Sequence, residues 1–269
     1  MMFRNQLRLW IGAALVALIL LISPPAWAAR NPPTLADQVQ AVFGQAFEAT
    51  NRGDFMTAER YWSEAIALNP TNAAAWSNRG NARVSQNHLQ EALDDYAESI
   101  RLAPDSPDPY LNRGTAWEGL KDWDRAIADY RKVLDLNPED AAAWNNLGNV
   151  AVSRGDYRTG LEDFERAARL APGFAFAQAN AALTRYQLGE DALALQRVKG
   201  LVRKYPDFAD MRAALTAMLW ADGQQGEAES NWVAAIGLDA RYRNPGWVRS
   251  IRRWPPRITA DLERFLSLS

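Results

Sequence analysis

Apolar and polar residues follow one another along most of this chain in a pattern that repeats every 34 residues. From residue 39 onward, each unit of 34 has a small residue at its twentieth position and, in most units, a large aromatic one at its twenty-fourth. The small column is Ala58, Ala92, Ala126, Gly160, Ala194 and Ala228, and the large column is Trp62, Tyr96, Tyr130, Phe164, Val198 and Trp232. Small residues spaced against large ones allow helices to approach closely, so the pattern predicts stacked helical hairpins.

Punctuating residues divide each unit into two helices. Pro70, Pro104, Pro138, Pro172 and Pro206 close five successive units, where proline cannot continue a helix. Gly53, Asn87, Gly155, Gly189 and Gly223 mark turns between paired helices, because such residues tolerate the left-handed backbone that ends a helix. The units are predicted at 39–72, 73–106, 107–140, 141–174, 175–208 and 209–242. Gly160 stands where other units have alanine, and we expect a local weak point there.

The spacing and residue types resemble the tetratricopeptide repeat, whose pattern runs from a Trp through Leu-Gly, a Tyr, an Ala and a large aromatic to a closing Pro. The run WNNLGNVA, with Trp144, Leu147 and Gly148, matches the opening of that pattern. The resemblance implies an all-α, right-handed superhelical solenoid of about six hairpins, followed by C-terminal capping helices. It also implies that the first helix of each unit lines a concave groove.

Both ends of the chain depart from the repeat. Residues 1–28 have a basic start, an apolar run from Leu9 to Ile22 and the small-x-small triplet at 26–28. The run is shorter than the roughly 20 residues that span a bilayer, so it predicts a cleaved signal peptide rather than an anchor. Residues 29–38 are predicted as a flexible lead-in.

The tail, residues 243–269, is predicted as a cap rich in arginine and tryptophan. A short helix is expected from Trp247 to Arg253, ended by the proline pair that follows, and a last helix is expected to begin at a Thr259 cap.

Charge and composition exclude several classes of function. Lys and Arg number 30 and Asp and Glu 32, and removal of the leader takes away Arg4 and Arg8, which leaves 28 against 32 and a net charge of −4. A mildly acidic body does not favour nucleic-acid binding. The chain has no cysteine, which excludes disulfides, thiolate metal sites and cysteine nucleophiles.

Nothing in the sequence indicates catalysis, a metal site or a cofactor. His88 is the only histidine and falls at a predicted interhelix turn, so we interpret it as a surface residue. The adjacent carboxylates at 94–95 and 162–163 are interpreted as solvated faces of second helices. No nucleotide-binding or nucleophile motif is present. The sequence therefore predicts a protein that is not an enzyme.

A periodic set of asparagines marks the predicted groove. At positions six and nine of the units, the set comprises Asn78, Asn81, Asn112, Asn146, Asn149 and Asn180. A carboxamide both donates and accepts, which suits the backbone of an extended peptide. The alternative interpretation is that these asparagines bond within the hairpins. The lysines with which the chaperone-binding branch of the family clamps a terminal carboxylate are missing from groove positions two and five. Arg79 and Arg113, at position seven, are predicted to be structural.

The tail offers a second candidate surface, consisting of Trp247, Arg249, Arg252, Arg253 and Trp254. It could contact an anionic membrane through charge and aromatic anchoring. The interpretation that we favour is that the tryptophans seal the last repeat while the arginines stay solvated.

These observations predict a non-catalytic adaptor that holds an extended peptide or partner segment in its groove. Through the family resemblance, it would act in assembling or maintaining an envelope or membrane-protein complex. The alternative is a peripheral membrane or scaffold protein acting through the arginine-rich tail, with the groove empty or filled by its own last helix. The signal favours the periplasm or thylakoid lumen over secretion. The partner's identity and self-association stay open.

Overall fold

The computed structural model describes residues 34–268, which are all-helical, with no strand within that range. Twelve helices form six antiparallel hairpins, and the tail adds shorter elements. The hairpin helices are α1 (Leu35–Asn51), α2 (Phe55–Leu68), α3 (Ala73–Ser85), α4 (Leu89–Leu102), α5 (Pro107–Gly119), α6 (Trp123–Leu136), α7 (Ala141–Ser153), α8 (Tyr157–Leu170), α9 (Ala175–Gln187), α10 (Asp191–Lys204), α11 (Ala209–Ala221) and α12 (Gln225–Leu238). Each helix packs on its sequence neighbours, so the predicted all-α solenoid is confirmed.

The N-terminal end corrects one prediction. Residues 35–38, expected to belong to a flexible lead-in, form the first turn of α1. Thr34 caps this turn: its hydroxyl accepts from the backbone N–H of Asp37, whose carboxylate accepts from the backbone N–H of Thr34. This reciprocal capping box satisfies donors that a helix start leaves unpaired. The predicted signal peptide, 1–28, lies outside the described residues. Within the described range, no helix combines the length and apolarity needed to cross a bilayer.

Every hairpin turns through one residue with a left-handed backbone. The six are Gly53, Asn87, Lys121, Gly155, Gly189 and Gly223, with φ between 60° and 86°. Glycine and asparagine reach this region at little cost, whereas Lys121 must hold it with a full side chain. The turn geometry is therefore conserved between the units even where the residue type is not.

The fourth position of the repeat carries a hydrogen bond rather than a fixed residue type. Trp76 and Trp144 donate their indole N–H groups to the carbonyls of Pro70 and Pro138, at 2.9 and 3.1 Å. In later units Gln178 donates to Pro172 at 2.7 Å, and Arg212 donates to Pro206 at 2.6 Å. Tyr110 makes the same contact with Pro104 at 3.2 Å. The bond ties the start of each of these hairpins to the proline that closes the preceding one.

Glycines allow paired helices to touch through their backbones and rings. A Cβ added at Gly114 would lie 2.4 Å from the Tyr130 ring, and one at Gly148 would lie 2.7 Å from the Phe164 ring. Gly160 faces Gly148, where an added Cβ would meet Val152 Cγ2 at 2.6 Å. The expectation of a weak point at Gly160 rests on helix propensity alone, whereas in the structure the missing side chain permits the close approach of α7 and α8.

The tail departs from the predicted helix boundaries. A 3₁₀ turn (Ala240–Arg243) leads to α13 (Pro245–Trp247), a π-helical turn (Val248–Arg252) and α14 (Pro256–Leu268). Pro256 opens the last helix instead of ending the one before, since proline is well suited to a first helical position. Thr259 lies inside this helix, donating its hydroxyl hydrogen to the Pro255 carbonyl. Helix α14 packs against α9 and α11.

Candidate functional site

The concave groove is lined by the first helices of the units, and its middle contains a cavity of about 400 Å³. Helices α5, α7 and α9 supply its floor, including Thr115, Asn146 and Asn180. Residues 251–255 of the tail cross one side. The cavity is thus built partly from repeats and partly from the C-terminal segment, a combination that the sequence pattern did not predict.

Three of the six groove asparagines keep hydrogen-bonding capacity. Asn78 and Asn112 make no side-chain hydrogen bond to any described residue, and both are half-buried. Asn146 accepts only one long bond, from the amide of Asn145 at 3.4 Å, and its own N–H₂ group has no acceptor in the described part of the chain. These side chains recur at position six of successive units. They form a row of amides whose donors or acceptors can pair with a ligand backbone.

The other three asparagines are engaged within the fold. Asn81 accepts from the hydroxyl of Tyr96 at 2.8 Å, which ties α3 to its paired helix. Asn180 donates to Asn145 at 3.1 Å and to Asn149 at 3.3 Å, linking adjacent units. Bonding within the fold therefore accounts for Asn81, Asn149 and Asn180, and it leaves Asn78, Asn112 and Asn146 as the candidates for ligand contact.

A buried carboxylate that the sequence analysis did not single out faces the groove. Glu118, in α5, is 4% exposed and accepts from the Tyr130 hydroxyl at 2.5 Å and from Arg253 Nη1 at 2.5 Å. Burial raises the pKa of the Glu118 carboxyl, although both partners favour its charged form. Because its arginine partner lies 135 residues along the chain, no local spacing could have indicated this pair.

A second buried carboxylate anchors the tail. Asp210, at the start of α11, accepts from the Tyr242 hydroxyl at 2.5 Å, from Arg252 Nε at 2.9 Å and from Trp254 Nε1 at 3.0 Å. Trp254 and Tyr242 are themselves buried. Asp210 therefore holds three donors of the C-terminal segment against the last repeat.

These contacts change the interpretation of the tail surface. Trp254 seals the last repeat, as expected. Arg252 and Arg253, expected to stay unpaired in solvent, instead pair with the buried carboxylates of Asp210 and Glu118, and Arg252 is itself half-buried. The reason is that the two acids lie at buried groove positions, where an unpaired charge is costly. Arg249 stays exposed and pairs with Glu263, and Trp247 is half-buried against the Tyr242 ring.

The arginines at position seven are structural. Arg79 pairs with Asp95 at 2.6 Å and Arg113 with Asp129 at 2.7 Å, each joining the two helices of a hairpin. Asp95 also pairs with Arg83 at 2.8 Å and is 1% exposed, so its interpretation as a solvated carboxylate is wrong.

Reactive groups do not converge anywhere in the described range. No group of three or more His, Asp or Glu residues there could hold a metal ion. His88 lies exposed at the start of α4 and makes no side-chain cap. The groove thus offers amides, aromatic walls and paired charges, which are binding chemistry.

A curved stack of helical hairpins with an amide-lined groove defines a repeat protein of the interaction class. The tetratricopeptide repeat family matches residues 43–107, 111–174 and 146–207, more than half of the chain. This protein belongs to the tetratricopeptide repeat family. Repeats of this kind mediate protein–protein interactions, and the family is generally a non-catalytic scaffold.

Relatives and solved structures agree with that assignment. Over 61 residues, 23% of this chain, the sequence is 43% identical to Hsp70-Hsp90 organizing protein 2 of Arabidopsis thaliana, but it spans only about a tenth of that protein's length. PilF of Pseudomonas aeruginosa has a similar fold, with 17% identity, 87% of this chain and 99% of that one covered, and a TM-score of 0.67. YrrB, described as having an unusual peptide-binding site, is 21% identical over 66% of this chain and 92% of its own, with a TM-score of 0.50.

Proposed function

We propose that this protein is a non-catalytic adaptor that binds an extended segment of a partner protein in its concave groove. The observation that carries the proposal is the row of amides with unused donors or acceptors: Asn146 lines the groove cavity, and Asn78 and Asn112 hold the same position in their units. These half-buried amides reach solvent, so their donors and acceptors are available to the N–H and C=O groups of an extended peptide.

The C-terminal segment sets the limits of the binding region. Helix α14 covers the groove faces of α9 and α11, and Arg253 reaches α5 across the intervening repeat. The open stretch therefore runs along α1, α3, α5 and α7, and it ends at the wall formed by residues 251–255. At its other end Phe47, 48% exposed, stacks edge-on against Trp62 and supplies an apolar contact.

A peptide in this stretch would be held mainly through its backbone. The open amides recur at one position per repeat, whereas charged groups at the cavity, Glu118 and Arg253, already satisfy each other. Side-chain specificity would come from the aromatic end at Phe47. The peptide-binding site described for YrrB, which has a similar fold, supports peptide binding as a use of this architecture.

Site-specific photo-crosslinking tests the proposal. A photoreactive residue replacing Thr115, which lines the cavity, should crosslink one protein segment in cells, whereas the same residue replacing Gln90 on the outer helix α4 should not. A synthetic peptide of the captured segment should then bind the full chain in a fluorescence anisotropy titration. The double variant Asn112→Ala/Asn146→Ala should lower the affinity for this peptide about tenfold or more, because two hydrogen bonds to the peptide are lost.

The matched control is Gln90→Ala/Gln225→Ala, which removes two exposed carboxamides from the second helices α4 and α12 and should leave the affinity unchanged. Equal affinity for the groove variant and the parent, at unchanged melting temperature, would contradict the proposal and make the amides structural.

We further propose that the adaptor works outside the cytoplasm, in the periplasm or thylakoid lumen, in assembling or maintaining an envelope or membrane-protein complex. The basic and apolar leader, residues 1–28, supports export. If so, the segment captured from Thr115 should belong to an envelope or membrane-complex protein, and capture of a cytoplasmic protein would contradict this part.

A membrane role for the tail has less support. Trp254 is buried, and Arg252 and Arg253 are neutralised by groove carboxylates, so three of the five groups that suggested it are committed to the fold.

A further inference from the structure

A second cavity lies on the opposite side of α9 from the groove. Helix α9 presents Phe176, Asn180 and Leu183 to the groove cavity. Its Gln178, Ala182 and Arg185 line a separate notch of about 600 Å³ between α8 and α10, on the outer face. The notch and the groove are therefore independent candidate sites.

Comparison with the third and fourth units accounts for the space in the notch. In the third unit the Tyr110 ring lies under Lys132, 6.0 Å from the ring centroid, and in the fourth the Trp144 ring lies under Arg166 at 6.0 Å. These rings occupy position four of their units, and the cations that cover them occupy position 26.

The fifth unit has neither the ring nor its cover. Position four is Gln178, which keeps the hydrogen bond to the Pro172 carbonyl but lacks the volume of an indole. Position 26 is Gly200, where an added Cβ would meet nothing within 4 Å. The notch thus occupies the space that an aromatic ring and its covering cation fill in the third and fourth units. The hydrogen bond from position four to the preceding proline carbonyl is kept.

The rim of the notch is strongly basic. Five cationic residues and one acidic residue line it: Arg169, Arg185, Arg197, Arg203, Lys204 and Glu165. Glu165 is already engaged by Arg185, and Arg169 lies 3.8 Å from it. Arg197 and Arg203 are exposed and form no ion pair with any described residue. On a chain with a net charge of −2, this is a local reversal of sign.

We propose that the notch binds an acidic segment of a partner protein by receiving an aromatic side chain in the place of the missing ring. The floor of Ala168, Ala181 and Leu201 is apolar and suits a ring, whereas Arg197 and Arg203 would pair with carboxylates on either side of it. The combination is that of an aromatic anchor in a pocket with charged neighbours at the rim. The inference does not rest on the function proposed for the groove.

A defined peptide tests this proposal. Fluorescein-labelled Glu-Glu-Asp-Trp-Asp-Glu-Glu should bind the full chain, with an affinity that falls as salt is raised. The same peptide with alanine for tryptophan, or with all carboxylates replaced by amides, should bind at least several-fold more weakly. The notch is filled by Gln178→Trp/Gly200→Lys, which supplies the ring type of the fourth unit and the lysine lid of the third and should weaken binding at least tenfold.

Folding of that variant is checked by its melting curve, and the tryptophan keeps a donor for the Pro172 carbonyl, as Trp144 does for Pro138. Arg197→Ser/Arg203→Ser should weaken binding several-fold. The matched control, Arg131→Ser/Arg158→Ser, removes two exposed arginines in other units and should not change it.

Three results would overturn the proposal: no binding of the acidic peptide, equal binding of its alanine version, or unchanged binding by Gln178→Trp/Gly200→Lys. The groove variant Asn112→Ala/Asn146→Ala should bind this peptide normally, which separates a failure here from a failure of the groove proposal.

Discussion

Asp163 lacks the arginine partner that the equivalent aspartates of the second and third units have. It occupies position 23 of the fourth unit, where the second and third units have Asp95 and Asp129, each paired with an arginine at position seven. In the fourth unit position seven is Leu147, which packs beside the Tyr130 cluster. Asp163 is half-buried and has no ion pair with any described residue. Its interpretation from sequence as solvated is therefore wrong.

Asp163→Asn should stabilise the protein at neutral pH. Burial, with smaller contributions from Glu162 and Asp156, raises the pKa of Asp163 from 3.8 to about 6. Below about pH 4 the group is neutral in the folded and unfolded states and costs nothing. As the pH rises towards and through 6, the folded state alone resists ionisation and loses stability. Each pKa unit is worth about 1.4 kcal/mol, and screening at a partly exposed site reduces the sum, so we expect a gain of about 1–2 kcal/mol at pH 7.5.

Urea denaturation at pH 4 and pH 7.5 measures this gain. The neighbouring exposed Glu162→Gln serves as the control and should change stability much less at either pH. A gain from Asp163→Asn that is as large at pH 4 as at pH 7.5 would show that burial of the charge is not its cause.

At the scale of the helix, two glycines in similar helices have opposite roles. Helix propensity alone predicts the same effect for Gly160 in α8 and Gly200 in α10, since each glycine weakens its helix relative to alanine. Gly160 lies where α7 and α8 touch, with Gly148 O 3.1 Å and Val152 Cγ2 2.6 Å from an added Cβ. Gly200 faces open space.

Gly160→Ala should therefore destabilise the protein by about 1–3 kcal/mol through overpacking, in spite of its better propensity. Gly200→Ala should stabilise it by about 0.5–1 kcal/mol. Thermal and urea unfolding of the two single variants decide the matter. Stabilisation by both would show that α7 and α8 can separate enough to accept a methyl group.

For the whole molecule, the C-terminal segment closes the solenoid. Without a cap, the first helices of the last two units, α9 and α11, would be exposed. Helix α14 covers them with Leu262 and Phe265, both fully buried. Tyr186 of α9 donates to Asp261 at 2.6 Å, and Phe265 stacks against Trp220 and Trp232. The tail is thus an integral part of the fold and also the wall of the binding groove.

Asp210→Ala tests this coupling. Removing the acceptor leaves Arg252 and two buried donors without a partner, so we expect a loss of about 3–5 kcal/mol. Hydrogen exchange should rise most in residues 240–255 and along the neighbouring part of α11, with little change in α1 to α4. A uniform rise across all repeats would mean that the solenoid unfolds as one unit and that Asp210 has no special role in docking the tail.

The repeat period determined the fold from the sequence alone, because each hairpin contacts mainly its neighbours and local spacing therefore carries the architecture. It placed the prolines, the turns, the structural arginines Arg79 and Arg113, and the row of asparagines. What it could not supply was any contact that breaks the period. The pairs of Arg253 with Glu118 and of Arg252 with Asp210 join residues 135 and 42 positions apart, and no repeat column contains them.

Tertiary structure also decided which residues of one column remain equivalent. Asn112 and Asn180 share position six, yet only Asn180 bonds to the preceding unit. Gly160 and Gly200 share a residue type, yet only Gly160 lies against a backbone. A sequence specifies the volume and hydrogen-bonding groups at each position. Which residues surround each position is decided only when the chain has folded. Here the C-terminal segment packs against the groove, and the space beside Gln178 and Gly200 stays open.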